Sequence, residues 1–139
     1  MVTLGPQMNT AMTAGAGALY VYRNGNVDRF LPGSMNSGAI NAAPAGFVAT
    51  PRGVYVVGSD RSLNQGYLEF LDPNMLRKFD EWRLSSTSDG GLNSLQLIAA
   101  APNDDVWLVG TAAPGATLSS MDGGSLPIPS GVFAILLSP

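Results

Sequence analysis

The chain has 139 residues, seven basic side chains against ten acidic ones, a net charge of −3, and neither histidine nor cysteine. That length suits one domain with a real core. The missing residue types exclude Ser-His-Asp triads, His- or Cys-based metal sites, cysteine nucleophiles and disulfides. An isoelectric point near 4.5 goes with the lack of any basic stripe, since Asp28, Asp80 and Glu81 dilute the nearby arginines and Lys78. Capture of nucleic acid through phosphates is therefore not expected. Charged residues make up 12% of the chain, about half the usual share of roughly 25%. A surface so poor in charge implies cover by partner subunits, with a hydroxyl-rich monomer as the alternative.

The stretch 1–17 is rich in Thr, Ala, Gly and Met, has no charged side chain, and reads as an extended arm that is either mobile or laid across another subunit; residues 18–139 form the domain. Its opening, Met1-Val-Thr-Leu-Gly-Pro6, has neither the positive n-region nor the apolar core of a signal peptide. No apolar run is long enough to span a membrane as a helix. Leu19-Tyr-Val-Tyr-Arg23, Asn24-Gly25 and Asn26-Val-Asp-Arg-Phe30 predict a hairpin, because Asn-Gly supplies the positive φ of a type I′ turn. A two-residue loop pairs Tyr22 with Val27, Tyr20 with Arg29 and Leu19 with Phe30. One face then carries Tyr20, Tyr22, Val27 and Leu31, and the other Leu19, Val21 and Phe30 with Arg23 and Asp28.

Composition makes 32–38 a loop. A modest strand follows around Phe47 and Val48, then a buried one over 53–58 and another over Tyr67–Leu71. Residues 75–84 allow two readings. Asp72-Pro73 could open a helix with Met75, Phe79 and Trp82 at i, i+4 and i+7. Alternatively, Asp-Pro-Asn turns into a strand in which Trp82 and Leu84 alternate around Arg83. The strand is favoured because it completes a second hairpin. Strands over 95–100 and 105–110 come next, then a long Ala/Pro/Gly/Ser-rich excursion over 111–130. The uninterrupted apolar strand 131–137 calls for cover on both faces, in the middle of a sheet or on a neighbour's sheet.

Two segments repeat each other. Phe47-Val-Ala-Thr-Pro-Arg-Gly-Val54-Tyr-Val-Val-Gly58-Ser59 is echoed 52 positions later by Ala99-Ala-Ala-Pro-Asn-Asp-Asp-Val106-Trp-Leu-Val-Gly110-Thr111. Repeated strand units point to similar sheets stacked on one another. The order turn, Val-aromatic-aliphatic-Val-Gly strand, Gly66-Tyr-Leu-Glu-Phe-Leu-Asp-Pro73 and a strand ending Trp82-Arg-Leu84 resembles a β-propeller blade. By that resemblance 39–84 makes one four-stranded blade. Residues 19–31 belong to a preceding blade, and 95–110 with 132–137 to a following one. Propellers hold about four to eight blades and this chain holds two to three, so closure would need several copies. The fold class expected is all-β: antiparallel strands in a sandwich or barrel, or an incomplete set of propeller-like blades.

In general character the chain also resembles small decoration, cement or tail-assembly proteins of tailed bacteriophages. That likeness implies a non-enzymatic structural role in a virion, with the chain itself and other virion proteins as partners. The alternative is an oligomeric binding module for glycans or proteins, using exposed rings. Candidate interaction residues are Tyr20, Tyr22, Arg29, Trp82, Val132, Phe133 and Ile135. Trp107, set among Val106, Leu108 and Val109, is expected in the core. No cofactor or metal is expected. Asp80-Glu81 and Asp104-Asp105 are sequence neighbours that face opposite ways in a strand or face water in a turn, and Lys78 is expected on a solvated face. Asp89-Gly-Gly and Asp122-Gly-Gly read as turns rather than calcium loops.

Overall fold

A computed structural model describes residues 11–15, 17–23, 25–40, 44–87 and 90–138. These form thirteen strands: β1 Ala11–Gly15, β2 Ala18–Arg23, β3 Asn26–Leu31, β4 Ser34–Ala39, β5 Pro44–Thr50, β6 Gly53–Asp60, β7 Gln65–Leu71, β8 Lys78–Ser85, β9 Ser94–Ala100, β10 Val106–Ala112, β11 Thr117–Ser120, β12 Ser125–Pro127 and β13 Gly131–Leu137. One 3₁₀ turn, Pro102–Asp104, links β9 to β10, and there is no α-helix among the described residues. The fold is all-β, in three antiparallel sheets ordered β1-β2-β3-β4, β12-β11-β8-β7-β6-β5 and β13-β10-β9, none of which closes into a barrel.

The sheets stack face to face. One apolar cluster fills the gap between the first and second sheets, with Tyr20, Tyr22 and Val27 against Val54, Val56, Ala49 and Leu71. Another fills the gap between the second and third, with Tyr55, Val57, Leu68 and Phe70 against Ile98, Val106, Leu108 and Phe133. Strand alternation sends odd and even positions of the middle sheet to different gaps, so Val54-Tyr-Val-Val57 is buried on both faces. The first strands of the three meanders lie side by side, β5 packing against both β1 and β9. Small residues allow that approach: a Cβ on Gly15 would run into the Ala49 carbonyl, and one on Gly46 would sit 3.4 Å from the Ile98 nitrogen.

The first hairpin has the expected register, Tyr22↔Val27, Tyr20↔Arg29 and Leu19↔Phe30, with Gly25 at φ 81°; Asn24 lies outside the described residues. The four strands expected over 39–84 are β5 to β8, each antiparallel to the next. The segment 75–84 resolves as a turn over 75–77 leading into strand β8 from Lys78. The Asp72 carboxylate accepts from the Asn74 and Met75 amides at 2.9 and 2.6 Å, and Leu76 then turns left-handed at φ 56° with its side chain buried, which ends any helix after one turn.

Several expectations need correction. Residues 34–39 are a strand rather than loop, because Pro32-Gly33 alone makes the turn and the following backbone pairs with β3. The arm reading stops short of Ala11–Gly15, which pairs with β2; residues 1–10 lie outside the described set. The excursion after Thr111 contains β11 and β12, which extend the edge of the second sheet beyond β8. β13 is an edge strand beside β10, with one face open, rather than a central one. Its Val132, Ala134 and Leu136 face outward, and Phe133 alone is fully buried.

Candidate interaction site

The sheet order reveals a third copy of the repeat, in the first sheet. Leu19-Tyr-Val-Tyr22 in β2, Val54-Tyr-Val-Val57 in β6 and Val106-Trp-Leu-Val109 in β10 occupy the second strand of their respective sheets. Within each copy, the first and third residues face the preceding side of the stack, and the second and fourth face the following side. Tyr20 and Tyr22 are thus covered by the second sheet, Tyr55 and Val57 by the third. Trp107 and Val109 point the same way, and among the described residues no fourth sheet covers them.

The consequence is an apolar outer face on the third sheet. Trp107 is 46% exposed where its equivalent Tyr55 is fully buried. Around it, cross-strand pairs place Ala99 and Leu136 beside Trp107, Leu97 and Ala134 beside Val109, and Val132 beside Thr111. Leu97 and Val132 are 53% and 82% exposed, and no residue of this face carries a charge. The expectation that Trp107 is core fails for a positional reason. Its apolar neighbours in sequence alternate between two faces, and only the inner one is packed.

The first sheet presents the opposite end of the stack. Its outer face carries Ala14, Leu19, Val21, Phe30 and Met35, interrupted by one ion pair. Arg23 Nε lies 2.7 Å from the buried Asp28 carboxylate, which also accepts from the Ser37 hydroxyl at 2.7 Å. The charges on this face cancel locally.

Of the candidate interaction residues, Tyr20, Tyr22 and Phe133 are buried within the chain, so none of them presents a ring to a ligand. Tyr20 donates its hydroxyl to the Pro73 carbonyl at 2.7 Å. Arg29 donates to Asn74 Oδ1 at 3.3 Å beside the same loop. Ile135 is half-buried toward the second sheet, and Val132 alone of the terminal trio is fully open. Trp82 is half-buried in a groove of about 260 Å³ with Phe70, Phe79, Asp80, Leu137 and Ser138, its indole N–H bonded to Asp80 at 2.9 Å. Sequence reading missed the Trp107 face. Its signal was the repeat itself, once each copy is assigned a side of the stack.

One carboxylate pair does converge. Glu69 and Glu81 are cross-strand partners on β7 and β8, almost completely buried. Lys78 Nζ spans them at 3.4 and 2.6 Å, and Arg83 Nε donates to Glu81 at 2.6 Å while its guanidinium stacks over Tyr67. Lys78 is therefore a partly buried counter-ion, not a solvated side chain. Burial opposes the charge on Glu81, but hydrogen bonds from Lys78 and Arg83 outweigh it and hold the carboxyl below its usual range. Burial likewise opposes the Lys78 ammonium, and Glu81 with Glu69 more than restores it, so its pKa is raised. The cations seal both acids inside the sheet, where a substrate has no access. Asp80 lies on the other face of β8 from Glu81, as expected of neighbours in a strand. No group of three or more metal-ligating side chains occurs among the described residues. The chain matches no protein-family model, no curated protein and no solved structure.

Proposed function

We propose that this chain is a non-enzymatic structural protomer that works by self-association, of the kind that decorates or cements a bacteriophage particle or builds its tail. The observation that carries the reading is the uncharged apolar face centred on Trp107, which leaves large side chains in water unless another polypeptide covers it. Scarce charge over the whole chain and the burial of the Glu69–Glu81 pair agree with a mechanical role. Apolar contact between sheets resists screening, so the oligomer should persist at high salt. Light scattering at about 1 M NaCl tests this: a stable multiple of 14.4 kDa supports the reading, and dissociation counts against it. Immunogold labelling of purified particles tests placement on a virion.

The second reading, a glycan- or protein-binding module, has the aromatic groove beside Asp80 on its side, where Phe79 is open and Trp82 half-covered. A glycan array on the purified chain separates the two. Hits abolished by Trp82→Ala would favour the module.

A further inference from the structure

Resting on the assembly reading, we infer that copies of this chain join head to tail, the outer face of the third sheet in one copy packing on the outer face of the first sheet in the next. The repeat gives the direction. In every copy of the motif the aromatic position faces the following side of the stack and its neighbours face the preceding side. Both filled gaps inside the molecule therefore join a following face to a preceding face. Among the described residues, what remains open is one of each: a following face around Trp107 and a preceding face around Leu19, Phe30 and Met35. A face-to-face pairing of two identical ends would break the pattern that both internal gaps obey.

Charge agrees with this fit, and size sets its strength. At ~3.4 Å per residue and ~4.8 Å between strands, the three-stranded face covers about 340 Å² in plan and the four-stranded face about 390 Å². These whole-face areas include the polar positions Asn26, Ser37 and Thr111 and fall below the roughly 800 Å² per partner of a standard interface, so a single joint is weak and each copy makes two. One face is uncharged, and the other carries only the internally neutralised Arg23–Asp28 pair, so no unpaired charge enters the joint. The packing of β1 on β5 and of β5 on β9 would continue with β1 of the next copy against β9 of the first. A head-to-tail joint closes into a ring if the rotation allows it and grows into a filament otherwise.

The test uses two variants, Val132→Glu on the following face and Met35→Glu on the preceding face, both at well-exposed positions. Each alone blocks one end, and should weaken self-association by roughly 100-fold or more, leaving the single chain folded. Mixed together, they should form a 1:1 dimer of twice 14.4 kDa through the two intact faces, and no larger species. Leu136→Glu and Leu19→Glu repeat the test from the same two faces if circular dichroism shows either first variant unfolded. If Met35→Glu alone still dimerises, the third sheets pair with each other. If Val132→Glu alone does so, the first sheets pair. Either result overturns the head-to-tail joint while leaving assembly intact. Mixtures that stay monomeric overturn it too, and a monomeric unsubstituted chain removes the assembly reading as well.

Discussion

Tyr55 and Trp107 hold the same place in consecutive sheets and meet opposite surroundings. Tyr55 sits under the third sheet with its ring edge-on to Phe70, the centroids 4.7 Å apart. Trp107 sits beside Leu136, the cross-strand equivalent of Phe70, and both face water. The sequence pattern around the two is the same, so local propensity does not separate them. What differs is whether another layer follows. A motif can therefore be fully consistent with its strand and still leave its function to a neighbour in space.

That comparison breaks most visibly in the filled gap. Leu108 is fully buried against the second sheet, and Leu108→Ala should cost about 2–5 kcal/mol of folding stability, read as a lower urea midpoint. Next comes the sealed acid pair. Lys78→Met removes a cation from two buried carboxylates and should cost about 3 kcal/mol near neutral pH. The deficit should shrink as pH falls, because protonating the acids relieves the uncompensated charge.

In the unsubstituted chain the signs run the other way. Glu81, held low, contributes stability that is complete above the unfolded carboxylate value of about 4.3 and is lost as pH falls through its folded value. Lys78, held high, contributes stability that is complete below about 10.4 and is lost as pH rises through its folded value. Thermal melts across pH should thus show a plateau between those limits. A smaller loss, about 1–3 kcal/mol, is expected for Gly110→Ala, whose new methyl would meet the Ser94 carbonyl and the Phe133 ring. The least effect on a single chain should come from Trp107→Ala, within about 1 kcal/mol in dilute solution, because among the described residues no other layer packs on that side.

Much of the fold was legible because strands announce themselves locally. Asn24-Gly25 set a register that holds pair by pair, and the alternation of Tyr20 and Tyr22 against Leu19 and Val21 named the two faces correctly. β4 was not legible, since Ser34-Met-Asn-Ser-Gly-Ala39 has the composition of a loop and is a strand only because β3 offers it a ladder. The ionic cluster was hidden for a related reason: Glu69 and Glu81 lie twelve positions apart and meet only through the register of β7 with β8. The outer face was half legible. Its apolar residues were plain, but which of them would be covered depends on the number of sheets in the stack.

The central claim is that Trp107 lies at a joint between copies. Trp82→Phe leaves Trp107 as the one tryptophan of the chain, so its emission and its quenching by acrylamide report that face alone. On concentrating the protein, the account predicts a blue shift and falling quenching that track the rise in mass by light scattering. An emission maximum and quenching constant that stay unchanged while the mass rises would place the joint elsewhere and contradict it.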